Sequence, residues 1–167
     1  MRSAIVKRIV VALTAILGCS DGGTDPEWKD WEWFTIGGRV SVLIPPEWTG
    51  PEYTTYNYLI AHFRWPGGTF MLQQGPTVDF PYYLATLPGY RETAGVVDGR
   101  RVTEMAWDIV ASYDTSYNVC LWVVEPDDDF TRYLVVSTCD TPPQREMVRK
   151  ILERLRFLRP KLKTATG

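Results

Sequence analysis

The sequence predicts an α+β fold in which an antiparallel sheet carries a C-terminal amphipathic helix packed on one face. Short runs of β-branched and aromatic residues recur from residue 32 onward, broken by Gly-Gly, Pro-Gly and Asp-Gly turns, and a single capped, striped helix closes the chain. No internal repeat appears.

Residues 32–36 and 39–44 flank Gly37-Gly38, a pair that supplies the positive φ a tight hairpin requires, and Pro45-Pro46 ends the second strand. Residues 56–65 and 69–74 repeat the pattern around Pro66-Gly67-Gly68. Residues 79–87 fit a short helix, with Asp79 as cap and Tyr83, Leu84 and Leu87 on one side. Residues 91–97 and 100–111 flank Asp98-Gly99, a third hairpin signal. Residues 118–124 and 132–138 flank the acidic loop Glu125-Pro126-Asp127-Asp128-Asp129, which reads as a solvated tip; it lacks the alternating ligand spacing and following Glu of an EF-hand. Thr141-Pro142-Pro143-Gln144 then forms a capping box with Pro at the first helical position. Met147, Val148, Ile151, Leu152, Leu155 and Leu158 make one apolar stripe, Glu146 and Lys150 form an i,i+4 pair, and Pro160 stops the helix.

The chain begins with a separate unit. Arg2, Lys7 and Arg8 precede an uncharged run from Ile9 to Leu17, which is the outline of a signal peptide over residues 1–18 and falls well short of the ~20 apolar residues of a membrane span. Ile16-Leu17-Gly18-Cys19 resembles a lipobox, which marks Cys19 for lipidation. Acyl chains gain about 0.8 kcal/mol per buried methylene and hold a protein on a membrane without a spanning helix. The alternative is a plain secretory signal with a Cys near its end. Ser20, where Asp would favour inner-membrane retention, permits passage to the outer membrane in diderm bacteria. Residues 19–31 are expected to be the lipidated Cys and a flexible tether, 32–160 a single domain, and 161–167 a basic tail.

Loss of residues 1–18 leaves 20 acidic side chains against the 18 basic ones less Arg2, Lys7 and Arg8, so the mature form is net negative and nucleic acid is excluded as a natural partner. The segment after Pro143 is nonetheless basic, with Arg145, Arg149, Lys150, Arg154, Arg156, Arg159, Lys161 and Lys163. Such a face either lies on anionic phospholipid or is simply solvated, the commoner case. Of three cysteines, one is committed to lipid, and Cys120 and Cys139 remain for a disulfide in an oxidising compartment. Alternation places them on one face of a simple hairpin with an even-length loop, and the direct opposition that bonding needs requires the turn to centre between Asp129 and Phe130; the alternative is two buried free thiols.

Catalytic signals are sparse. His62 is the single histidine and sits in an apolar strand, so Ser-His-Asp and Cys-His chemistry would both have to use it. A carboxylate pair could still do glycosidase-like work, given a cleft that holds two acids at a set separation. No metal or other cofactor is expected. The aromatic residues invite a binding role instead: Trp28, Trp31, Tyr53, Tyr82 and Tyr83 could offer flat faces to a glycan or an envelope protein, although aromatics also fill cores.

Three pieces, in order, resemble the PsbP/Mog1-like group, which includes DcrB-type bacterial lipoproteins: residues 40–48 (VSVLIPPEW), residues 97–101 (VDGRR), and the closing strand and helix over 133–157. The similarity spans roughly residues 32–158 and rests on structural motifs. It implies an antiparallel sheet of about six strands with helices packed against it, and no shared activity.

Overall fold

The computed structural model describes residues 28–55, 57–110, 115–124, 126–127 and 130–158. The expected signal, Cys19, residues 20–27 of the expected tether and the basic tail lie outside the described residues. The elements are β1 (Glu32–Ile36), β2 (Val40–Ile44), β3 (Thr49–Thr55), β4 (Leu59–Trp65), β5 (Gly68–Gly75), a 3-10 turn (Tyr82–Thr86), β6 (Arg91–Val97), β7 (Arg100–Val110), β8 (Thr115–Val123), β9 (Arg132–Cys139), α1 (Pro142–Glu153) and β10 (Arg156–Phe157).

The fold is α+β and its sheets are antiparallel. Seven strands form the main sheet in the order β3-β4-β5-β9-β8-β7-β6, where about six were expected, and β1-β2-β10 form a second, smaller sheet. The hairpins follow from turn chemistry. Asp98 and Gly99, at φ 48° and 71°, make a two-residue turn of the primed type between Val97 and its partner Arg100. Gly37 and Gly38 also take positive φ, in a loop one residue longer than expected, closed by Arg39. The edge strand β3 was not expected, because Gly50 and Pro51 disfavour strand interiors; its register shifts between Thr49 and Glu52, as an edge tolerates.

One face of the main sheet carries the larger core. Phe63, Phe70, Leu72, Val119, Leu121, Val135 and Cys139 from the sheet meet Val40 and Val42 of β2 and Val148, Ile151, Leu152 and Leu155 from the helix and its exit. Each such aliphatic side chain stabilises by roughly 1.5–3 kcal/mol on burial. The capping box forms as expected, with the Thr141 N–H donating to Gln144 Oε1 at 2.9 Å and Thr141 Oγ1 accepting from the Gln144 N–H. The helix ends at Glu153, earlier than the stripe implied. Leu155 stays buried outside it, whereas Leu158 follows β10 and is exposed, because Arg156 and Phe157 pair with Ser41 and Val40 of β2. Two basic residues expected to be solvated face the sheet instead: Arg145 pairs with Asp108 and Arg149 with Glu104 at 2.7 Å, fixing α1 to β7.

Cys120 and Cys139 correct the disulfide expectation. The β8–β9 register pairs Cys120 with Val136 and Tyr117 with Cys139, so the residue numbers of opposed pairs have an even sum, not the odd sum that would put both thiols on one face. Cys139 belongs to the core beneath the helix and Cys120 to the core on the other side, and both are free thiols. Burial pushes both thiols up from their ordinary pKa.

Candidate functional site

The second face of the main sheet carries a smaller core, and the connection between β5 and β6 builds it. Gly75 ends β5 at φ 155°, where a Cβ would stand 2.6 Å from Tyr58 Cβ, so the close approach of the chain just before β4 requires glycine. From there residues 76–90 cross the sheet and lay Val78, Leu84 and Phe80 over Met105, Trp107, Cys120, Trp122 and Leu134. The expected helix over 79–87 is a single 3-10 turn capped by Pro81, with no side-chain cap from Asp79. Leu84 points inward, while Tyr82 and Tyr83 are left 78% and 71% exposed.

Where this connection meets the β8–β9 loop it leaves an open cleft of about 360 Å³, lined by Asp79, Phe80, Tyr82, Trp122, Val124, Pro126 and Arg132. Phe80 stands edge-on to Trp122 at 5.7 Å and tilted against Tyr82 at 4.7 Å, so three rings line one concavity. Asp79 and Arg132 form a surface pair at 3.6 Å, and Arg132 Nη1 donates to the Val78 carbonyl. The cleft therefore offers aromatic faces beside one guanidinium and one carboxylate, which suits a ligand with apolar faces and polar edges.

The loop forming one wall is held from beneath. Asp127, expected at a solvated tip, is buried: Arg100 pairs with it at 2.5 Å and Arg39 at 3.5 Å, and the Tyr133 hydroxyl donates to Asp127 Oδ2. Arg100 lies over the ring of Phe157 at 4.7 Å. Burial, then the hydrogen bond to Asp127, pushes the Tyr133 phenol up. Asp127 N–H donates to the Thr131 carbonyl and Phe130, at φ 62°, donates back to the Asp127 carbonyl, which closes the loop on itself. Asp128 and Asp129 lie outside the described residues.

The structure separates the other candidates. Trp28 is 6% exposed and belongs to the main core, edge-on to Trp31 at 4.1 Å, so neither offers the free flat face expected of a tether residue. Tyr53 is exposed on β3, opposite Ala61, on the sheet face away from Tyr82 and Tyr83. His62 is half-buried on β4, opposite Glu52 and Met71, and Glu52 is paired with Arg64 at 3.2 Å. Among the described residues no group of three His, Cys, Asp or Glu is placed to hold a metal. Phe80, Trp122 and Arg132 were not singled out in the sequence; they meet only through the crossing connection, which leaves no local pattern.

No family model and no curated protein matches the chain. Among solved structures it is similar to PA94, a protein of unknown function from Pseudomonas aeruginosa, with a TM-score of 0.39 at 12% identity, over 74% of this chain and 94% of that one. So distant a likeness carries no argument about activity.

Proposed function

We propose that the chain is a cell-envelope lipoprotein, anchored through Cys19, whose noncatalytic α+β domain of the PsbP/Mog1-like type binds an envelope partner through the aromatic cleft. The carrying observation is the convergence of Phe80, Tyr82 and Trp122 on one open concavity, with Tyr82 left largely in solvent. Phe80 and Trp122 hold the floor of the cleft from the smaller core, and Tyr82, an exposed aromatic that fills no core, suits recognition of a glycan or a protein surface. A lipid anchor would place such a domain on the envelope, with the outer membrane as its site in a diderm cell.

The alternative is a membrane-tethered hydrolase acting on envelope glycan through a carboxylate pair. Asp98 and Glu153 line one hollow of about 240 Å³. Asp98 there accepts the Phe157 N–H at 2.6 Å and two arginines share the space, which suits a structural role better than acid and base.

A photo-reactive amino acid at position 82 tests the binding reading in cells. A discrete cross-linked envelope partner, lost on Trp122→Ala in a folded protein, supports it. Cross-linking equal to that from position 53 on the opposite face would remove its basis.

A further inference from the structure

The small sheet has two faces of opposite character. By register, Phe34, Ile36, Val40, Val42 and Phe157 share the inner face, where Phe34 meets Phe63 at 5.7 Å and Phe157 meets Tyr133 at 5.3 Å. Trp33, Thr35, Ser41, Leu43 and Arg156 therefore share the other face, on which Ser41 and Leu43 are buried while Trp33, Thr35 and Arg156 stay exposed. On it the Arg156 guanidinium lies 4.1 Å from the ring centroid of Trp33, which is 42% exposed, and beside it Arg154 lies 4.3 Å from that of Trp28. Arg154, Arg156 and Trp33 line a shallow polar hollow together with Asp98 and Glu153.

We propose that this tryptophan–arginine face docks on an anionic phospholipid surface and so sets how the domain sits on its membrane; the inference rests on the lipoprotein reading. Indole rings favour the headgroup depth of a bilayer, where one side of the ring is apolar and the N–H stays wet. The guanidinium fork matches phosphate geometry and sheds water more readily than an ammonium group. Chain length brings the two together. Trp28 lies nine residues after Cys19, a separation that covalent geometry limits to about 30 Å. A face whose free affinity is weak is populated when a tether supplies its local concentration. Beyond the exposed Leu158 the sequence continues with Arg159, Lys161 and Lys163, which lie outside the described residues. Surface charges act over about 8–10 Å at physiological ionic strength, so the effect requires close approach and weakens with salt.

The test supplies the anchor chemically. Mature chain, residues 19–167, is coupled through the Cys19 thiol to a maleimide phospholipid; Cys120 and Cys139 are fully buried in the native fold. It is placed on vesicles of phosphatidylcholine alone or with phosphatidylglycerol, with brominated acyl chains as quencher of tryptophan emission. The expected result is quenching on the anionic vesicles that falls to the neutral-vesicle level with Arg154→Gln plus Arg156→Gln, and that is reduced by Trp33→Phe. Circular dichroism confirms that the variants are folded. Equal quenching on both vesicles, or quenching unmoved by Trp33→Phe, overturns the proposal. Because the anchor is synthetic, either outcome is independent of whether cells lipidate Cys19.

Discussion

Cys120 and Cys139 lie on neighbouring strands yet point to opposite faces of the main sheet, one into the core under residues 76–90 and the other into the core under α1. No rotamer brings the two sulfurs together across the thickness of a sheet. Denatured, unreduced mature protein is therefore expected to yield both thiols to an alkylating reagent, while the native fold protects them through burial and their raised pKa. Recovery of neither thiol without reductant would mean that the register is wrong.

The Arg39–Asp127–Arg100 cluster predicts a large stability effect from one side chain. Removing one member of a buried charge group leaves the others unpaired, so Asp127→Ala is expected to cost about 3–5 kcal/mol in denaturant unfolding, against less than about 1 kcal/mol for breaking the exposed Arg64–Glu52 pair. Comparable midpoints for the two variants would contradict the burial of Asp127.

The same cluster gives a pH dependence. The Tyr133 phenol is held above its ordinary value of 10.0, so on raising the pH the unfolded chain releases this proton first. Its contribution is whole below about pH 10 and is lost as the pH climbs further. Tyr133→Phe should flatten the alkaline decline in stability; an unchanged slope would remove Tyr133 as its source.

Aromatic substitutions separate packing from binding. Trp28→Ala is expected to destabilise by about 3–5 kcal/mol, and Tyr82→Ala to stay within about 0.5 kcal/mol while abolishing partner capture. A reversed pattern of melting temperatures would exchange their roles.

The sequence showed those parts of the fold whose cause is local. Asp98-Gly99 and Gly37-Gly38 specify their hairpins through positive φ, and Thr141 with Gln144 specifies the start of α1. What it did not show depends on distant partners. The stripe through Leu155 and Leu158 is compatible with a longer helix, and only pairing with β2 turns residues 156–157 into a strand. The face on which each cysteine falls depends on the register of β8 against β9, a pairing that the pattern of neither strand alone decides. The cleft was legible only in Tyr82, because Phe80 and Trp122 read as ordinary core residues until the connection brings them together.

Mass spectrometry of the membrane-extracted protein bears most directly on the envelope lipoprotein reading. An N-terminal peptide that begins at Cys19 and carries acyl mass is the expected result, with Cys19→Ala releasing the protein or blocking its maturation. A soluble wild-type protein with an unmodified Cys19 would contradict the account.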